Sequence, residues 1–134
     1  MENTADKTIL VVEDERPLAD AIRMKLENYG CDVTVARTVE QALNYLSELE
    51  VVDAIWLDHY LLGKKNGLDF VVELKKEGSQ WAKVPIFVVS NTASADKVQS
   101  YIQLGINKYF VKANHKLENI ISEVKESIDK LETE

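Results

Sequence analysis

Three observations predict an α/β domain built on a doubly wound parallel sheet. Five short runs rich in aliphatic, β-branched and aromatic residues are spread along the chain. Each is followed by a longer stretch with helical periodicity, the alternation expected of β-α-β units. Several of the runs, such as Ala54-Ile55-Trp56-Leu57, are apolar throughout, as strands covered on both faces are. The 134 residues suit one domain spanning 1–134, with a core over about 8–131 and no output domain.

The elements follow in order. Ile9 to Val12 is the first strand. Pro17 then suits a first helical turn, Leu18, Ile22, Leu26 and Tyr29 recur at helical spacing, and Gly30 fits a C-terminal stop. Val33 to Ala36 is the second strand. Thr38 with Gln41 three residues later reads as a capping box for a helix whose inward face is Val39, Ala42, Leu43 and Leu46. Ala54 to Leu57 is the third strand, and a third helix begins near Gly67 with Leu68, Val71, Val72 and Leu74 before Gly78. Ile86 to Val89 is the fourth strand. The weaker fourth helix opens near Ser94, with Val98, Tyr101 and Ile102 before Gly105. Tyr109 to Val111 is the fifth strand. The last helix has one apolar stripe, Leu117, Ile120, Ile121, Val124, Ile128 and Leu131, opposite Lys125, Glu126 and Lys130. Residues 1–7 and 132–134 read as frayed ends.

Composition removes several function classes. Acidic residues outnumber basic ones, 23 against 16, for a net charge of −7, which disfavours nucleic acid as a partner. The single cysteine, Cys31, excludes an intramolecular disulfide and a Cys-pair metal site. Wholly apolar runs stop at about four residues where a membrane span needs roughly twenty, and Met1 to Lys7 has no apolar secretory segment. A cytoplasmic protein is expected, with no membrane association.

Right-handed crossovers place the C-terminal ends of all five strands on one edge of the sheet, where open α/β folds build their sites. The first strand ends in Glu13-Asp14-Glu15, the third in Asp58, the fourth in Ser90-Asn91-Thr92 and the fifth at Lys112. If strands one and three are neighbours, Glu13, Asp14 and Asp58 share a crevice and repel one another unless a cation intervenes. An all-oxygen set with few carboxylates favours Mg²⁺ or Mn²⁺. Asp58, anchored by a buried strand, can then act as a nucleophile towards phosphorus and form an acyl phosphate. Lys112 supplies a positive charge and Ser90 a hydroxyl able to donate to a phosphoryl oxygen. Taken singly, each of these residues reads as an ordinary surface charge or strand-end cap; the joint placement points to a site.

Five segments, in the order ILVVEDE, DAIWLDHYLL, NGLD, VPIFVVSNTA and NKYFVK, resemble the receiver domains of bacterial two-component response regulators, and the likeness runs from about Thr8 to Leu131. The resemblance implies a flavodoxin-like (βα)5 fold, strand order 2-1-3-4-5. It implies that Asp58 accepts a phosphoryl group from a sensor histidine kinase or a histidine phosphotransfer protein. Asp14 resembles the direct Mg²⁺ ligand, Glu13 a companion acting through water, and the Tyr60 backbone carbonyl a third ligand. Ser90 matches the switch hydroxyl, Tyr109 the aromatic that rotates inward, and Lys112 the lysine that senses the phosphoryl charge. A downstream protein partner would read the face of helix four, strand five and helix five. Self-phosphorylation and slow autodephosphorylation then serve a signalling switch, not an enzyme.

The match departs from the family pattern at four places. Ala113 stands where proline usually follows the strand-five lysine, and because a non-proline cis bond costs about 2.5–4 kcal/mol, Lys112-Ala113 is expected to be trans. The loop after Asp58 has Leu62 where proline is common and one extra residue, and its Gly63-Lys64-Lys65-Asn66 stretch reads as a mobile, solvated turn. His59 replaces a more usual aliphatic residue and reads as a packing or surface side chain before a metal ligand or a modulator of phosphoryl lifetime. Asn91 stands where a small residue is usual. An aspartyl phosphohydrolase fits poorly, because the expected second aspartate is Tyr60. A flavin module also fits poorly, since Glu13-Asp14-Glu15 would repel a phosphate. A receiver-like interaction scaffold without phosphoryl turnover stays as the alternative.

Overall fold

The computed structural model describes residues 7–91 and 94–133. Five strands, β1 (Thr8–Val12), β2 (Asp32–Ala36), β3 (Ala54–Leu57), β4 (Ile86–Ser90) and β5 (Lys108–Val111), form one parallel sheet in the order β2-β1-β3-β4-β5. The connecting helices are α1 (Arg16–Asn28), α2 (Val39–Glu48), α3 (Gly67–Leu74), α4 (Ala95–Leu104) and α5 (Leu117–Thr133), with one 3₁₀ turn over Lys112–Asn114. The strand order and the alternation of elements agree with the expectation from sequence.

Alternation along each strand sorts the core into two layers. Leu10, Val12, Ile55, Leu57, Ile86 and Val88 face α2, α3 and α4, meeting Val39, Leu46, Phe70, Val71 and Tyr101. Ile9, Val11, Trp56, Phe87, Val89 and Phe110 face α1 and α5, meeting Ile22, Leu26, Ile120, Val124 and Ile128. The central strands β1, β3 and β4 are covered on both faces, and their interiors are apolar; the edge strands β2 and β5 are only partly covered and admit Thr34 and Lys108.

Several local expectations need correction. The Thr38 hydroxyl does accept from the Gln41 N–H (3.0 Å), but the Gln41 side chain accepts from Arg37 N–H (2.7 Å), one residue outside the box. The complete capping box is at α3, where the Asn66 and Asp69 side chains each accept from the other's backbone N–H. Asn66 thereby ends the polar loop, and a parallel bridge from Leu62 to Thr38 holds its start. On α3 the buried face is Phe70, Val71 and Leu74, while Val72 is exposed; Ile102 and Leu131 are also exposed, as is Tyr29, which caps α1 while Ala19 joins Ile22 and Leu26 on its buried face. Helix α5 continues to Thr133, and Lys7 accepts from Asp32 N–H (2.8 Å), so neither position is frayed. Residues 1–6, Thr92, Ala93 and Glu134 lie outside the described residues. Lys112-Ala113 is trans, as expected. Among the described residues no helix is long and apolar enough to cross a membrane.

Candidate functional site

Hydrogen bonds that continue the ladder bring the strand-end residues level. Glu13 follows β1 and donates its N–H to Ala36 O (2.9 Å); Asp58 follows β3 and donates its N–H to Val12 O (3.0 Å). These bonds extend the sheet by one residue on each side of β1 and leave both carboxylates at the same edge. Ser90 closes β4 opposite Val111, so the residue after Val111, Lys112, turns into the crevice at the start of the 3₁₀ turn. Its Nζ lies 3.1 Å from Glu13 Oε1 and 3.4 Å from Asp58 Oδ2. Arg37 braces the acidic loop by donating from Nη2 to the Asp14 carbonyl (3.0 Å).

The crevice is short of positive charge. Glu13 and Asp58 are buried, at 1% and 5% exposure, and a carboxylate oxygen from each of Glu13, Asp14 and Asp58 lies within 4.8 Å of the others. Among the described residues, Lys112 answers them at contact distance. Burial first, and then the Asp58 charge, push the Glu13 carboxyl up to about 7 against the opposing pull of Lys112. Burial pulls the Lys112 ammonium down, but Asp58 and Glu13 outweigh it and hold its pKa above the usual lysine value. Asp58 Oδ1 is buried without a hydrogen-bond partner. An orphaned carboxylate oxygen beside two further carboxylates fits a hard divalent cation.

Stability should therefore depend on pH and on metal together. An unfolded glutamate titrates near 4.5, so the folded state binds the Glu13 proton more tightly, and that stabilisation is lost as the pH rises from about 4.5 to about 7. Mg²⁺ is expected to restore it, raising the melting temperature at about pH 7.5 by several degrees and at about pH 5 hardly at all. Melting curves with EDTA and with Mg²⁺ at both pH values check this; equal shifts at the two would show that Glu13 does not take up the proton.

A profile of the response regulator receiver domain matches residues 9–125. The chain belongs to that family. Among curated relatives, the transcriptional regulatory protein CpxR of Klebsiella pneumoniae is 34% identical over 105 residues, covering 78% of this chain and 42% of that protein. The phosphate regulon regulatory protein PhoB of Escherichia coli is 30% identical over 106 residues, covering 79% and 45%. This receiver chain thus spans less than half the length of the curated relatives it matches. Among solved structures, the non-phosphorylated HemR receiver domain of Leptospira biflexa has a TM-score of 0.79 at 26% identity, covering 92% of this chain and 94% of that one. A CheY-like receiver from Methanospirillum hungatei superposes at a TM-score of 0.83 over 96% and 98% of the two chains, with 22% identity.

In this receiver domain the fold brings together Glu13, Asp14, Asp58 and Lys112, with Ser90 at the neighbouring strand end. Tyr109 on β5 is half-buried, its hydroxyl pushed up by burial and eased back by the adjoining Ser90 hydroxyl. Tyr60 lies in the turn after Asp58 with its ring exposed. His59 was read as a packing or surface residue, and it packs: it is 2% exposed, and its Nδ1 shares a 2.6 Å hydrogen bond with the Tyr101 hydroxyl. Burial, then the nearby Lys97, lower its pKa below the usual histidine value. Two residues at this edge escaped the sequence reading, Arg37 and the hydroxyl of Tyr101. Tyr101 carried a signal, a large polar-tipped aromatic on a predicted inward face, but its partner stands 42 residues away.

Proposed function

We propose that this receiver takes a phosphoryl group on Asp58 from a phosphohistidine of a sensor histidine kinase or a histidine phosphotransfer protein, and signals through a phosphorylation-dependent protein-binding face. Receiver domains are signalling switches that interact with such kinases and transfer proteins and bind Mg²⁺ in an acidic pocket. The observation that carries the reading is Asp58 itself: one oxygen is held by Lys112 and the other is buried without a partner, at the centre of an acidic cluster. A relative at 25% identity, the cyanobacterial phytochrome response regulator RcpA, has been solved in phosphorylated form.

In this reading Asp14 is the direct ligand of Mg²⁺ or Mn²⁺, Asp58 supplies an oxygen, Glu13 acts through water, and the Tyr60 carbonyl completes the protein set. When bound, the cation offsets the negative charge that builds on the phosphoryl oxygens. Asp58 attacks phosphorus, an O–P bond forms, the P–N bond to the donor imidazole breaks, and its electron pair leaves with that nitrogen. Lys112 pairs with a phosphoryl oxygen and Ser90 donates to another. The added charge of about −1.5 to −2 draws Ser90 inward, and Tyr109 follows into the space this frees. The face of α4, β5 and α5 is the output surface, and the switch works in the cytoplasm.

Intact mass after incubation with acetyl phosphate, with Mg²⁺ and with EDTA, tests the proposal. One added phosphoryl group that requires Mg²⁺ and is released by hydroxylamine is the expected result. No adduct under conditions that trap short-lived acyl phosphates would overturn it in favour of a phosphate-independent scaffold.

A further inference from the structure

Helix α4 is tied to the turn after Asp58 by a buried hydrogen bond. Tyr101 is its one fully buried residue. The ring passes beneath the turn that follows Asp58, and the hydroxyl reaches His59 Nδ1 at 2.6 Å. The two rings stand edge to face with centroids 5.7 Å apart, and the Tyr101 and Tyr109 ring centroids are also 5.7 Å apart. One helical turn earlier, Lys97 sits 5.7 Å from the centre of the Tyr60 ring. An i, i+4 pair on α4 therefore grips both residues that come directly after Asp58. The same turn is closed from the other side by Gly67, whose N–H donates to His59 O (3.0 Å) and whose α-carbon faces the Tyr101 hydroxyl.

We propose that Tyr101 is a positioning residue for the Asp58 site: through its hydrogen bond to His59 it ties α4 to the turn carrying Asp58 and the Tyr60 carbonyl, so the seating of α4 sets how well that turn holds a divalent cation. The proposal rests on the reading of Asp58 and its neighbours as a metal-assisted phosphoryl site. The physical reason is economy of contacts. His59 is buried, and a buried imidazole without its partner seeks another one, which it can reach only by moving the backbone between Asp58 and Tyr60. That backbone also positions a carboxylate and a carbonyl whose directions matter to a cation. The coupling runs both ways by linkage, so a cation that fixes the turn also fixes α4. This route joins the site to α4 without passing through Ser90.

The test is a double-mutant cycle on Mg²⁺ binding, with Tyr101→Phe, His59→Leu and both together, read by calorimetric titration. Tyr101→Phe keeps the buried ring and removes only the hydroxyl; His59→Leu reaches the same bond from the other side should the first variant fold poorly. Each single change is expected to weaken Mg²⁺ by about three- to tenfold, the scale of one hydrogen bond. The double variant should be no weaker than the worse single, because both changes remove one shared interaction. With acetyl phosphate, the half-saturating Mg²⁺ concentration should rise while the rate at saturating Mg²⁺ stays within about twofold of wild type. Unchanged Mg²⁺ affinity in Tyr101→Phe, or single effects that simply multiply in the double variant, would overturn the proposal. Wild type that binds Mg²⁺ but takes no phosphoryl group would defeat the phosphoacceptor reading alone, leaving the cycle to decide on Tyr101. Wild type that binds no Mg²⁺ would defeat both.

Discussion

Asp58→Asn is expected to abolish the phosphoryl adduct entirely and, in metal-free protein, to raise stability by about 1 kcal/mol. The amide has nearly the shape of the carboxylate and can still accept from Lys112, but it is not a nucleophile towards phosphorus. Its neutrality removes the second of the two influences that push Glu13 upward, leaving Glu13 and Lys112 as a one-to-one buried pair. The loss of chemistry and the gain in stability therefore have the same origin, a concentration of like charge at one strand end. Intact mass and thermal melting on the same sample check both halves. A residual adduct of wild-type yield would move the acceptor to another residue, and a melting temperature below wild type would mean that the Asp58 to Lys112 pair outweighs the repulsion from Glu13.

Gly67→Ala is expected to destabilise the domain by about 2–4 kcal/mol and to slow phosphoryl uptake. An added Cβ would clash with the Tyr101 hydroxyl and would lie 2.9 Å from Asp58 O and 3.1 Å from His59 Cα. The hydroxyl alone could swing away at modest cost. The two backbone contacts cannot, because they belong to the turn that aims the Asp58 carboxylate, and that turn is already tied to β1 and to α3. The helix would have to withdraw from the turn or push it out of line. Chemical denaturation measures the stability change, and combining the substitution with Tyr101→Phe should recover only the part due to the hydroxyl. A loss under about 0.5 kcal/mol would show that the turn yields freely.

The two expectations draw on different kinds of information. Asp58 was legible as a chemical residue because a charged side chain directly after a four-residue apolar strand can only emerge at the sheet edge, and topology then gathers Glu13, Asp14, Ser90 and Lys112 to the same place. Gly67 was legible only as a helix start. Its role as the point where α3, Tyr101 and the Asp58 turn meet depends on contacts between segments that no spacing rule connects.

What the sequence determined by itself is what periodicity and strand ends encode: the alternation of elements, the buried Ile22 and Leu26 of α1, the Ile120, Ile121, Val124 and Ile128 stripe of α5, and the acidic edge with Lys112. These follow from burial patterns that repeat every two or 3.6 residues, which a linear reading detects directly. Tertiary structure decided the rest. Which of Phe70 and Val72 turns inward depended on where α3 lands. The partner of Gln41 depended on how the chain enters α2, which brings the Arg37 N–H to its side-chain oxygen. Whether His59 met water or a hydroxyl depended on how deeply α4 seats Tyr101. In each case the local chain allows several partners of similar energy, and only the packing of distant elements, which excludes water from all but one of them, makes the choice.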